Sequence, residues 1–271
     1  MNNATVIDVP GWKQMTVRLW DSRNIIEQLV KRDIAVRYRQ SYLGYIWAIL
    51  VPILIVTAFT YLANLRVLPV DSVPYAYPAF AIGNLVVWQL FASILIACSQ
   101  SLSKAGSLTT KINFAKESLV LASLGQPIFD FLVKLPVVLS VVVYLDVRWS
   151  IGMAASALFL ILLVLLATGI GFLLSIVNLV YRDTENFIGI AATYGMFLAP
   201  VLYSPPDSYP LFLVNVLNPA SPILIEIQQL VASGMVNLDL FLVASVVIPP
   251  LVFIAGWRLF YIVLPVVIER A

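Results

Sequence analysis

SRNIIEQLVKRDIAVRYRQSYLGYIWAILVP, Ser22 to Pro52, changes character half-way along, and that change decides the fold. In its first half Ile25, Ile26, Leu29, Val30 and Ile34 recur at helical spacing, while Lys31, Arg32 and Arg37 fall on the other side. A helix divided in this way lies along a membrane surface. At Leu43 and Gly44 the charges stop, and Trp47 to Leu62 continue as an apolar run suited to hydrocarbon. The chain is expected to lie flat, turn and dive. Arg32, Arg37, Arg39, Gln40 and Tyr42 then fall at the depth of lipid head groups. Two readings fit them: plain positive-inside anchoring, or cations placed to hold a lipid-linked anion.

Composition agrees with a membrane protein. Of 271 residues, 61% are hydrophobic and 11% charged, and the mean hydropathy is +0.97, whereas soluble domains are about one-quarter charged. A net charge of +2 supplies no basic field for nucleic acid. The single cysteine, Cys98, leaves no disulfide to form within the chain. With no histidine, the commonest metal ligand and general base are missing. The first twenty residues contain Asp8, Pro10, Lys13 and Arg18 and no apolar core, so a cleaved signal peptide is not expected.

Hydropathy predicts six spans: Tyr45 to Leu65, Tyr77 to Ser99, Leu119 to Leu145, Ile151 to Val180, Phe187 to Tyr203, and Leu240 to Val263 or a little beyond. The links between them are short. The expectation is therefore one membrane domain over 1–271, made of an N-terminal segment 1–21, an interfacial helix 22–40 and a six-span bundle 45–265. The fold class is all-α, an integral membrane bundle. With the N-terminus in the cytoplasm, Lys13, Arg18, Arg23, Lys31, Arg32, Arg37, Arg39, Lys104, Lys111, Lys116 and Arg182 lie on that side, with Arg258 and Arg270 towards it. Arg66 and Arg148 fall outside. That asymmetry predicts both termini in the cytoplasm.

Inside the spans, Gln126, Asp130 and Lys134 are spaced by four and share one helix face, where Asp130 and Lys134 can neutralise one another or line a transport route. Pro127 and Pro136 predict a bend in that helix. Small residues form two tracks, Ala167, Gly169, Gly171 and Ser175 in the fourth span, and Gly189, Ala192, Thr193 and Gly195 in the fifth. Between spans five and six, VLYSPPDSYPLFLVNVLNPASPILIEIQQLVASGMVN has no basic residue. Its two apolar segments are too short to span, and they predict two short helices that dip into the outer leaflet around Asn218-Pro219. The alternative is a partly buried external loop. In the cytoplasmic link SQSLSKAGSLTTKINFAKE, Ser107, Thr109 and Thr110 are N-cap candidates. Leu108, Ile112 and Phe114 with Ala115 form an apolar edge beside Lys111 and Lys116, suited to docking in a groove or lying on the bilayer.

Signals for chemistry are lacking. None of the twelve glycines precedes a lysine, so there is no G-x-x-x-x-G-K-[ST] phosphate loop. Neither a Cys/His metal set nor a nucleophile with a histidine base occurs. The chain is not expected to be an enzyme.

The order of these pieces resembles a known family, the permease subunits of ABC transporters that export polysaccharides such as O-antigen, capsule and teichoic acid. The resemblance rests on QLVKRDIAVRYRQSYLGYIWAILVP at Gln28 to Pro52, KINFAKESLVLAS after the second span, YRDTENF after the fourth, and LNPASPI before the sixth. It implies a homodimer in the bacterial inner membrane working with two copies of a separate nucleotide-binding ATPase. ATP and magnesium would be bound on that partner, and no cofactor on this chain. The cargo implied is a glycan on an undecaprenyl-diphosphate-type lipid. The helix Ile25 to Tyr38 would be the gate helix, and Arg32, Arg37, Arg39, Tyr42, Leu43 and Gly44 the cytoplasmic intake, with Arg37 and Arg39 on the diphosphate. Ser107, Leu108, Lys111, Ile112, Phe114 and Lys116 would couple to the ATPase. Relatives often carry Pro-Arg after this helix where this chain has Ala115-Lys116, which puts any one salt bridge there in doubt. Tyr61, Trp88 and Phe91 would serve as sugar-stacking walls or packing aromatics, and Asp130 and Lys134 as further channel candidates.

Overall fold

A computed structural model describes residues 11–39, 44–66, 73–105, 115–181, 183–204 and 211–270; at 38, 39, 44, 45, 211, 212, 214, 269 and 270 the backbone alone is described. Every regular element among them is helical. In order these are α1 (Trp12–Asp21), α2 (Arg23–Arg39), α3 (Gly44–Asn64), α4 (Tyr77–Ala105), α5 (Glu117–Ser123), α6 (Gly125–Tyr144), α7 (Ile151–Val180), α8 (Thr184–Tyr194), a 3-10 turn (Gly195–Phe197), α9 (Leu211–Leu217), α10 (Ser221–Ser233) and α11 (Leu240–Arg270). Five helical stretches are long and apolar enough to cross a membrane: Ile46–Asn64, Tyr77–Ala105, Glu117–Tyr144, Ile151–Val180 and Leu240–Ile268.

The expected fifth span differs. Phe187 to Tyr203 is not one continuous helix: α8 ends at Tyr194, and the 3-10 turn and further turns carry the chain to Tyr203. Pro200 keeps the helix from resuming after the 3-10 turn, because its ring disfavours helical backbone at Ala199 and it brings no N–H. The third span divides at Leu124 into α5 and α6, where Pro127 has no N–H to offer the carbonyl of Ser123. At its start, α7 is capped by Ser150, whose hydroxyl accepts from the Met153 N–H at 3.2 Å.

α4 is the central helix, buried along most of its length from Ala79 to Leu102. It packs against α7, α6, α5 and α8, and α7 packs in turn against α11. The α7–α11 crossing is a backbone contact. A Cβ on Gly169 would sit 2.6 Å from the backbone of Phe253, and one on Gly256 would overlap the Gly169 carbonyl. α10 lies against α7 and α11, with Ser221 to Gln228 buried. It follows α9 through the turn at Asn218, whose Oδ1 accepts from the Ala220 N–H at 3.1 Å, and it stops at Gly234 in the left-handed conformation (φ 75°).

Candidate functional site

α2 presents the two faces that its residue spacing predicts. Ile25, Ile26, Leu29, Val30 and Ile34 are half-buried, and Lys31, Arg32 and Arg37 are exposed. The apolar face sits on α5 and α6. The approach is close enough at Gly125 that any Cβ there would overlap the Val30 side chain. On the solvent side, Lys31 donates to Glu27 at 2.6 Å and Arg32 pairs with Asp33 at 2.8 Å. The hydrogen bond and charge of Lys31 hold the Glu27 carboxyl below its usual range.

Where α2 leans over the C-terminal end of α4, a cleft of about 490 Å³ opens between α2, α4, α5 and the start of α6. Arg32, Arg37 and Lys104 are its cations, Asp33 its carboxylate, and Leu29, Val36, Ala97 and Leu119 supply an apolar wall. A positive mouth with an apolar side matches the two parts of an anionic amphiphile. Lys104 comes from the last turn of α4, which extends beyond the expected span end at Ser99, so hydropathy alone leaves it in a loop.

Arg37 links this cleft to the bundle. Its Nη2 lies 3.4 Å from Oδ2 of Asp130, and the Asp130 side chain is only 9% exposed against 54% for Arg37. Gln126 completes the set. With its amide oxygen turned to the guanidinium, as donor and acceptor matching requires, it accepts from Arg37 Nε at 3.1 Å. Lys134, one turn beyond Asp130, donates to Oε1 of Gln89 on α4 at 2.8 Å. The shared face of Gln126, Asp130 and Lys134 is thus present, but the ion pair recorded for Asp130 is with Arg37 on another helix.

Residues 25–232 match the ABC-2 type transporter family, from within α2 to within α10. The chain belongs to that family. Membrane subunits of this kind carry out the transport step of ABC systems, in keeping with the long apolar helices. Among curated proteins, this ABC-2 protein is similar to two O-antigen export system permease proteins RfbA of Klebsiella pneumoniae. The identities are 24% over 225 residues and 26% over 228, each covering 80% of this chain and 83% of the relative. It is also 25% identical over 186 residues to the O-antigen export system permease protein RfbA of Myxococcus xanthus, covering 68% of this chain and 70% of the relative.

The remaining predicted positions of the ABC-2 protein divide between described and undescribed residues. Tyr42, Leu43, Ser107, Leu108, Lys111, Ile112 and Phe114 lie outside the described residues. Of Arg39, which ends α2, and Gly44, which opens α3, the backbone is described. Lys116 lines a second cleft, of about 540 Å³, together with Arg18, Asp21, Glu117, Tyr261 and Pro265. Tyr61 is 64% exposed and borders a third cleft with Thr57, Thr60 and Asn64. Trp88 and Phe91 are buried, with ring centroids 5.4 Å apart and the Trp88 Nε1 donating to the Ala192 carbonyl at 3.0 Å. Buried there, they occupy the place of packing aromatics. Among the three, Tyr61 is the one that faces open space.

Proposed function

We propose that this ABC-2 protein is the membrane subunit of an ATP-driven exporter that carries a lipid-linked polysaccharide, of the O-antigen type on an undecaprenyl-diphosphate-like lipid, from the cytoplasmic to the outer side of the bacterial inner membrane. The observation that carries the reading is the cleft under α2, where Arg32, Arg37 and Lys104 converge beside an apolar wall. Kinship with permeases named for O-antigen export supports the glycan.

On this reading the diphosphate is held by Arg37 and Lys104 with Arg32 beside them, and Arg39, Tyr42, Leu43 and Gly44 take part in the intake. The subunit works as a homodimer with two ATPase subunits, whose closure presses on the segment Ser107 to Lys116 and tilts the spans above it. Tyr61 faces the sugar path. Both termini are cytoplasmic, which requires the run from Thr184 to Tyr203 to complete a sixth crossing as a broken helix. α9 and α10 are read as the two short helices dipping into the outer leaflet.

The test is reconstitution of the full chain with its ATPase and a lipid-linked glycan. Replacing Arg37 and Lys104 together by glutamine should abolish most export while the complex still assembles and hydrolyses ATP. Unchanged export would reduce those cations to anchors, and failure to co-purify any ATPase would overturn the exporter reading.

A further inference from the structure

A cation cluster at head-group depth is surrounded by phospholipid phosphates in large excess, and positive charge alone does not distinguish one anion from another. Arg37, one of the cations of the cleft, has its guanidinium on the buried carboxylate of Asp130, 3.4 Å away, and on the Gln126 amide. One turn further along the same face, Lys134 donates to a neutral acceptor, Gln89 Oε1. A second cation therefore stands within a helical turn of Asp130.

We propose that Asp130 is a specificity-determining residue, which keeps Arg37 occupied until an anion with at least two negative charges displaces it towards Lys134. A singly charged phosphodiester exchanges one negative charge for another at Arg37 and gains nothing over the carboxylate. A diphosphate reaching Arg37 and Lys104 together brings more charge than it displaces, and Asp130 keeps a cationic neighbour in Lys134. The exchange also draws Lys134 from Gln89 at the junction of α3, α4 and α6, where its stem lies beside Ile49, Pro52, Ile82 and Val86. This inference rests on the reading of the cleft as the diphosphate site.

The test measures binding of farnesyl diphosphate to the full chain in nanodiscs of phosphatidylcholine and in nanodiscs rich in phosphatidylglycerol. Asp130→Asn should bind about fivefold more tightly than the wild type in neutral discs and lose about tenfold in anionic ones, where the wild type changes little. Lys134→Gln should weaken binding in the wild-type background and have no effect beside Asp130→Asn. If Arg37→Gln binds as well as wild type, the diphosphate site itself is refuted. If Arg37→Gln loses binding but Asp130→Asn is no tighter and no more sensitive to phosphatidylglycerol, the site stands and the exchange is refuted. An equal effect of Lys134→Gln in both backgrounds also refutes it. Should Asp130→Asn not fold, Lys134→Gln decides alone, since unchanged binding in neutral discs overturns the proposal.

Discussion

Gly125 and Val30 touch so closely that α2 can lie against α6 only while nothing at position 125 meets the Val30 methyl groups. Val30 is β-branched and has little freedom to swing aside. Gly125→Val should therefore lift α2 from the bundle, at a cost of about 1–3 kcal/mol, the usual range for overpacking. Thermal unfolding of the purified chain measures it. Gly125→Ala combined with Val30→Ala should recover most of the loss, whereas equal damage in the double variant would place the strain elsewhere.

Gly256, which packs on the first small-residue track, and Gly189, from the second, should respond oppositely to substitution. Gly256 faces the backbone of Gly169 across the α7–α11 crossing, so Gly256→Ala meets main chain that cannot yield without parting the helices. Nothing lies within 4 Å of a Cβ on Gly189 in α8. Gly256→Ala should lower stability by about 2 kcal/mol or more. Gly189→Ala should be neutral or raise it by about 0.5–1 kcal/mol through helix propensity. Comparing melting of the two variants in one detergent checks both signs.

From sequence the two tracks look alike, because spacing records which residues are small and not what lies opposite. The charged helix ending at Arg39 and the apolar helix opening at Gly44 are legible for the contrary reason: charge and hydropathy both change within a few residues of that point. Asp130 shows the limit. The spacing of four ties it to Lys134, a rule confined to one helix, whereas Arg37 comes from α2, whose approach depends on Gly125. Lys104 joins the cleft because α4 stays helical past its apolar part. Phe187 to Tyr203 has the hydropathy of a span, but Pro200 and the 3-10 turn before it break the helix.

Glu226 should make stability fall as pH rises. It is fully buried in α10, and among the described residues neither carboxyl oxygen has a hydrogen-bond partner. Among the described residues the charge that bears on it is that of Asp239, before α11. Burial, and then the charge of Asp239, pushes the carboxyl up to about 7, from about 4.3 in an unfolded chain. The folded protein thus holds the proton more tightly. Its contribution is fully present below about pH 4.3, is lost as pH rises through about 7, and is flat beyond. Glu226→Gln should remove that slope, so unfolding temperatures at pH about 5 and about 8 should differ less than in wild type. An unchanged difference would assign the slope to other groups.

α1 should come free when its hold on α11 is cut, because contacts with that helix, and not the bilayer alone, fix it. The Arg258 guanidinium stacks over Trp12 at 5.4 Å and donates to the Met15 sulfur at 3.4 Å. Trp12 meets Trp257 edge-on at 6.0 Å, and Arg18 donates to the Tyr261 hydroxyl at 2.9 Å. On the far face Val17 and Trp20 are exposed, suited to the head-group layer. Arg258→Gln removes a cation–π contact of about 0.5–2 kcal/mol, and Tyr261→Phe an acceptor of about 1 kcal/mol. Neither side chain belongs to the α7–α11 glycine crossing, so the melting temperature should stay near that of wild type. Trypsin cleavage after Lys13 and Arg18 reports local release of α1. Its rate should rise by about tenfold in the double variant, the factor that about 1.4 kcal/mol of lost docking gives when opening is fast relative to cleavage. An unchanged rate would mean that the lipid surface holds α1 unaided.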